Sequence, residues 1–118
     1  MGLFDLLFRK SCVAELRPAD GYLAQPPEYD TIVHPGTYRF NNRQVDILGF
    51  LPNGKMSATL FLCHTGSGSC SEWGTFEFSR VSHDRTQEIW EAIVGNAGIV
   101  IHAIRHHGEV TLKLEVDR

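Results

Sequence analysis

The residues best suited to chemistry lie between positions 63 and 73. Cys63, His64 and Cys70 offer thiolate and imidazole groups, which are the ligands that zinc prefers. The two cysteines are further apart than the usual knuckle spacing, and neighbouring residues on a strand point to opposite faces. We therefore expect no metal site and no other cofactor.

The same segment could hold a thiol nucleophile at Cys70. Such a cysteine needs a lowered pKa and a histidine within hydrogen-bonding reach. One functional alternative is accordingly a small enzyme or ligand-binding protein, with a pocket beneath segments 17–36 and 64–73. The polar side chains that would converge there are His34, His64, Ser67 and Cys70. No motif places a histidine beside Cys70, so the sequence leans away from an enzyme, and we expect Cys63 to be buried and Cys70 accessible as free thiols.

Phosphate and nucleic-acid binding find little support. The loop Gly66-Ser67-Gly68-Ser69 lacks the Lys-Ser/Thr ending of a phosphate-binding loop. The formal net charge is -3 and the basic residues are scattered, whereas nucleic-acid binders normally carry a basic face. We therefore expect no general nucleic-acid binding, and a local basic strip stays open as an alternative.

Aromatic residues in predicted loops favour a different class of function. Tyr22, Tyr29 and Trp73 lie in such segments, and Tyr and Trp are frequent anchors of protein interfaces. The leading hypothesis is a small protein-binding module that occludes its partner, as inhibitors, immunity proteins and anti-defence proteins do. A homodimer through an open sheet edge is a further option.

The elements that would position these residues include two predicted helices. Residues 2–10 form an apolar stripe from Leu3 to Phe8, which predicts an N-terminal helix. A second helix is predicted from Asp84, because Asp84 and Gln87 have the spacing of a capping box. Apolar residues then recur at helical spacing (Ile89, Trp90, Ile93, Val94 and Ala97), Glu88 faces away, and Gly95 or Gly98 ends the helix.

The remaining regular segments read as strands. Alternating apolar residues predict strands over 37–40, 44–51, 56–64, 75–81, 99–105 and 110–116, with a further short strand over 12–16. Asn53-Gly54 predicts a two-residue hairpin turn with positive φ at both residues, and His107-Gly108 lies at hairpin distance between the last two strands. Residues 17–36 contain several Pro and Gly and read as irregular.

Together these patterns predict one α+β domain over residues 1–118. Its antiparallel sheet has about six strands in meander order, with an N-terminal helix and an amphipathic helix between strands four and five. The apolar runs are too short to span a membrane, and no signal peptide is evident. The odd number of cysteines, three, indicates free thiols and a cytoplasmic location.

Overall fold

The computed structural model describes residues 4–10, 18–64 and 66–117, and for residues 4–10 only the backbone is considered. These residues form eight strands and no helix. The strands are β1 (Phe4–Lys10), β2 (Gly36–Arg39), β3 (Arg43–Phe50), β4 (Met56–Cys63), β5 (Cys70–His83), β6 (Gln87–Val94), β7 (Ala97–His106) and β8 (Glu109–Asp117). The predicted α+β class is therefore wrong, because the described chain is all-β.

The strands form one antiparallel sheet in the order β1-β8-β7-β6-β5-β4-β3-β2. Seven of them, β2 to β8, follow one another as a meander, and β1 pairs with the far edge of β8. Edge strands β1 and β2 approach each other, so the sheet curls into a nearly closed barrel. The predicted meander order is confirmed for β2 to β8.

The interior of the barrel is filled by alternate residues of the strands. On β7 and β8 these are Ile99, Ile101, Leu112 and Leu114, all buried, while their neighbours face outward. Trp90, Phe50 and Phe78 are the largest fully buried aromatic side chains, and the rings of Phe50 and Trp90 lie 5.8 Å apart. This period of two is the pattern of a sheet with one face on a core.

The N-terminal segment predicted as a helix contains a strand. Backbone pairing runs from Phe4 opposite Asp117 to Lys10 opposite Thr111. Phe4, Leu6 and Phe8 recur at every second position, so the sequence satisfies the strand period as well as the helical one. An isolated short helix is only marginally stable because its first turn is costly to form, whereas pairing with β8 extends a sheet that already exists. The predicted strand over 12–16 lies outside the described residues.

The helix predicted from Asp84 is strand β6. Its residues alternate, with Glu88, Trp90 and Ala92 buried, and Ile93 is exposed instead of facing the core. The Asp84 carboxylate does accept hydrogen bonds from the backbone N–H groups of Thr86 and Gln87, at 2.8 and 3.0 Å. The capping interaction is therefore real, but it closes the β5–β6 turn.

The hairpin turn predicted at Asn53-Gly54 joins β3 to β4. Gly54 N–H donates to the Leu51 carbonyl, and Leu51 N–H donates to the Lys55 carbonyl, both at 2.9 Å. Gly54 has a φ of 89°, but Asn53 does not have the predicted positive φ. The loop is a three-residue type, in which a turn at Pro52-Asn53 is followed by a glycine in the left-handed region.

The final hairpin has the expected two-residue turn. His107 and Gly108 both have positive φ, at 50° and 79°, and His106 pairs with Glu109 across the turn. This is the geometry that a tight hairpin between right-twisted strands requires. The prediction for this turn is confirmed.

Strand β5 and the irregular segment before β2 together shape the site. Strand β5 has 14 residues and pairs with β4 along its first part and with β6 along its last part, with a bulge between Arg80 and Ser82. Residues 18–35 contain one isolated bridge, between Leu23 and Phe50, and no other strand or helix. Backbone hydrogen bonds attach the beginning of this segment to the middle of β3, and the hydrogen bond between Val33 and Glu88 attaches its end to the start of β6.

Candidate binding groove around Tyr29

Tyr29 is fixed in place from two sides. Its hydroxyl donates a hydrogen bond of 3.0 Å to the carbonyl of Gly54. The guanidinium carbon of Arg80 lies 4.0 Å from the centre of the tyrosine ring, within the range of a cation–π interaction. The ring remains half-buried, so Tyr29 presents a rigid aromatic surface to solvent.

Three adjoining clefts meet at Tyr29. Their volumes are about 180, 340 and 250 Å³. The first lies between Pro27 and Pro52, the second contains Lys55 and Arg80, and the third extends to Arg105. Because Tyr29 lines all three, they form one surface depression, which we call the Tyr29 groove.

A buried carboxylate lies beneath the groove. Glu88 is 1% exposed. Its Oε1 accepts hydrogen bonds from the indole Nε1 of Trp90 at 3.1 Å and from the backbone N–H of Val33 at 3.3 Å. Its Oε2 forms an ion pair of 3.0 Å with Nη1 of Arg80. A buried charge is tolerated when it is paired and hydrogen-bonded in this way.

Arg80 connects this carboxylate to the segment that carries Tyr29. Its Nη1 also donates to the backbone carbonyl of Asp30, at 3.3 Å. The same guanidinium therefore contacts Glu88, the ring of Tyr29 and the backbone of the following residue. Glu88 and Arg80 thus attach residues 29–33 to β5 and β6, and they determine where Tyr29 lies.

His34 lies close enough to Glu88 and Arg105 to interact electrostatically with both. Burial lowers the pKa of His34 below its ordinary value, and the nearby Arg105 lowers it further, while Glu88 opposes the shift. The backbone carbonyl of His34 accepts a hydrogen bond from the Tyr38 hydroxyl, at 3.1 Å. His34 therefore favours its neutral form at neutral pH.

The charged residues along the groove balance one another. The cations are Lys55, Arg80, Arg85 and Arg105, and the acids are Glu28, Asp30, Asp84 and Glu88. Hydrogen bonds from the backbone and hydroxyl of Thr86 and from Gln87 lower the pKa of Asp84, which keeps that exposed carboxyl ionised. A mixed, charge-balanced lining is unlike the uniformly basic surface that nucleic acids require.

The other predicted aromatic anchors lie elsewhere. Tyr22 is half-buried beside Gly49, and its hydroxyl accepts a hydrogen bond of 3.3 Å from Ser57. Trp73 lies on β5 and not in a loop; it packs edge-on against Phe76, with ring centroids 5.5 Å apart. Of the three aromatics, only Tyr29 lines the groove.

The residues of the alternative pocket are not brought together. His64, Ser67 and Cys70 belong to the β4–β5 hairpin, whereas His34 lies beside Glu88. Cys70 begins β5, and Glu88 pairs with His83 at the other end of this strand. Segments 17–36 and 64–73 therefore do not cover a common pocket in the described part of the chain.

Cys63 and Cys70 form a disulfide, which corrects the prediction of free thiols. The two residues are directly paired across β4 and β5, so register alone places them side by side. Both are half-buried, whereas Cys63 was expected to be buried. A disulfide is typical of oxidising compartments. The cytoplasmic location was expected because the thiols were expected to be free, and that reason no longer holds. Cys12 lies outside the described residues.

Sequence reasoning missed Glu88, Arg80 and Arg105. Glu88 was placed on the outer face of a helix, because a charged residue beside apolar ones normally faces solvent. The alternation Glu88-x-Trp90-x-Ala92 is the signal that would have placed Glu88 inside a strand. No local signal pairs Glu88 with Arg80, since that pairing depends on how β5 and β6 align.

No family model, curated protein or solved structure matches this chain. Among residues 18–64 and 66–117, no group of three or more His, Cys, Asp or Glu side chains is arranged to hold a metal ion. Within the same ranges, no helix has the length and apolar character needed to cross a bilayer.

Proposed function

We propose that the protein is a protein-binding module that engages its partner through the Tyr29 groove. The observation that carries this proposal is that one fixed tyrosine lines all three clefts of the groove. Tyrosine provides a large, rigid contact area at low cost in conformational entropy, and residues of this type dominate binding energy at interfaces.

The chemistry around Tyr29 supports a protein as the partner. The groove is lined by prolines, an aromatic ring and arginines, and aromatic residues and Arg are enriched at protein interfaces. Such a module acts by covering part of its partner, which is how inhibitors and immunity proteins work. The enzyme alternative is not proposed, because its four polar residues do not meet.

The test is affinity capture from a lysate of the source cells with wild-type protein and two pairs of variants. Tyr29→Ala removes the ring and should lose the captured partner, whereas Tyr29→Phe keeps the ring and should retain most binding. Arg105→Ala should weaken capture of the partner. Arg39→Ala, which changes an exposed arginine on β2 outside the groove, is the control and should not weaken it. We expect the Tyr29→Ala loss to exceed about tenfold in affinity for the identified partner.

Circular dichroism and thermal unfolding serve as controls that each variant is folded. Equal capture of one partner by wild type and by folded Tyr29→Ala would refute the groove as the binding site. The homodimer expected through an open sheet edge stays a prediction, and sedimentation equilibrium of the purified chain tests it.

A further inference from the structure

The outer face of β6 and β7 carries a diagonal row of apolar side chains, which we call the apolar ridge. Four outward residues, Ile104, Ile89, Val100 and Ile93, alternate between the two strands. Ile89 pairs with His102 and Ile93 pairs with Gly98, so each ridge residue is the diagonal neighbour of the next. Diagonal neighbours in a sheet are about 7–8 Å apart, which is within reach of long side chains.

The ridge is most exposed at Ile93. This side chain is 74% exposed, the highest value among the large hydrophobic residues described. Its cross-strand partner is Gly98, where an added Cβ would meet no atom within 4 Å. Because Gly98 has no side chain and the space above it is open, one flank of Ile93 is left uncovered.

The polar side chains that interrupt the ridge satisfy one another. Nε2 of His102 and Oε1 of Gln87 are hydrogen-bonded at 2.8 Å. Burial and Lys113 on β8 lower the pKa of His102, against the opposing effect of Glu115, so the imidazole is mainly neutral at neutral pH. A partner can therefore cover this face without burying a charged imidazole or breaking up a polar pair.

Carboxylates border the exposed end of the ridge. Glu91 and Glu115 pair with Val100 from either side, and Asp117 pairs with Gly98. Lys113 is opposite His102, toward the other end, and is engaged in an interaction of its own. The end that contains Ile93 and Gly98 is thus apolar at its centre and acidic around its border.

We infer that this face binds a basic protein segment whose apolar side chain lies over Gly98 and packs against the exposed side chain of Ile93. Apolar contact at the centre provides affinity, and opposite charges around it select the partner and orient it. This surface lies on the outside of the barrel and differs in chemistry from the charge-balanced Tyr29 groove. The inference therefore goes beyond the proposed function and does not depend on it.

The test uses three fluorescently labelled synthetic peptides and the intact protein. The first is an amphipathic peptide of Lys and Leu, the second replaces Lys by Glu, and the third replaces Leu by Ser. Fluorescence anisotropy should show binding of the Lys/Leu peptide alone. Binding of the Lys/Ser peptide with equal affinity would overturn the inference, because charge alone would then account for the binding.

Variants of the protein locate the contact. Gly98→Gln has no backbone conflict and should place a polar side chain over the uncovered flank of Ile93, lowering the affinity for the Lys/Leu peptide about tenfold. Ile93→Ser and the double change Glu91→Lys with Glu115→Lys should each do the same. Leu23→Ser, which alters another exposed apolar residue away from the ridge, is the matched control and should leave the affinity unchanged.

Amide chemical-shift mapping provides a readout independent of substitution. The Lys/Leu peptide should shift resonances of β6, β7 and β8 near Val100 and Asp117. Shifts confined to the residues around Tyr29, or unchanged affinity in both Gly98→Gln and Ile93→Ser, would overturn the inference while leaving the proposed groove function standing.

Discussion

The two ends of strand β5 are held in different ways. At the groove end, contacts join residues far apart in sequence: Tyr29 to Gly54, Asp30 to Arg80 and Val33 to Glu88. At the other end, the contacts within the β4–β5 hairpin are local, such as Ser67 to Ser69 and Cys63 to Cys70. One end is thus assembled by the fold as a whole, whereas the other closes a single loop.

This difference has a direct consequence for function. Contacts distant in sequence position a surface only when the whole barrel is formed, so the groove end depends on tertiary structure. The hairpin end is defined mainly by neighbouring residues, with one backbone hydrogen bond of 2.8 Å from Cys63 N–H to the Asn42 carbonyl, so a change there should leave the groove in place. The comparison can be tested by weakening each end in turn.

The largest effect is expected for Glu88→Ala. This change removes the acceptor of Trp90 Nε1 and Val33 N–H and leaves Arg80 without its buried partner. Loss of one partner from a buried ion pair costs about 3–5 kcal/mol of unfolding free energy. Urea denaturation measures the loss, and Glu91→Ala, on the outer face of the same strand, is the control and should stay within about 0.5 kcal/mol.

A smaller loss is expected for Gly54→Val, about 2–3 kcal/mol. Gly54 has a φ of 89°, and a β-carbon there would lie 3.2 Å from the Tyr29 hydroxyl oxygen. Gly68→Val in the other hairpin is the matched control, because its φ is 72° but no atom lies within 4 Å of an added β-carbon. The control should lose only about 1–2 kcal/mol of unfolding free energy, which is the cost of placing a residue with a side chain in the left-handed region. Equal losses in both variants would show that the Tyr29 contact adds nothing.

Removal of the disulfide should cost about 2 kcal/mol and leave the groove intact. The loop that it closes is short, so the constraint on the unfolded chain is modest. Thermal unfolding of Cys63→Ser with Cys70→Ser gives the loss, and amide spectra should show shifts near the hairpin alone. Shifts at Tyr29 or Gly54 would contradict the independence of the two ends. Mass spectrometry of the purified chain tests the disulfide itself.

The smallest effect concerns pH. Because burial and Arg105 lower the pKa of His34 in the folded chain, the unfolded chain binds the proton more tightly. The contribution of neutral His34 to the free energy of unfolding is therefore complete above about pH 6.5, and it decreases as the pH falls toward the folded-state pKa. His34→Gln should reduce this slope in urea denaturation below about pH 6.5. A His34 imidazole midpoint at or above the ordinary value, measured by NMR, would contradict the prediction.

Sequence patterns predicted the strands best where apolar residues alternate cleanly. Val110, Leu112, Leu114 and Val116 specify one face of β8, and the turn at His107-Gly108 was located correctly. The sequence patterns failed where the spacing of apolar residues fits both the helical and the strand period. In β6 the β-branched residues Ile89 and Ile93 favour a strand, but their spacing and the Asp84 turn imitate a helix.

The candidate site was only partly predictable. Tyr29 was identified because an aromatic residue in an irregular segment is a recognisable signal. Glu88 was not, since the free energy that permits its burial comes in large part from Arg80, whose position beside Glu88 depends on how β5 and β6 align. The Cys63–Cys70 pairing likewise depends on how β4 and β5 align.

The pairing of β1 with β8 has a consequence for how the chain folds. Every other pair in the sheet joins consecutive strands, so those hairpins can form in turn through short loops. Strand β1 must instead find a partner at the far end of the sequence, and closing so long a loop costs conformational entropy before any contact is gained. We expect the meander to assemble first, with β1 completing the barrel in the last kinetic step.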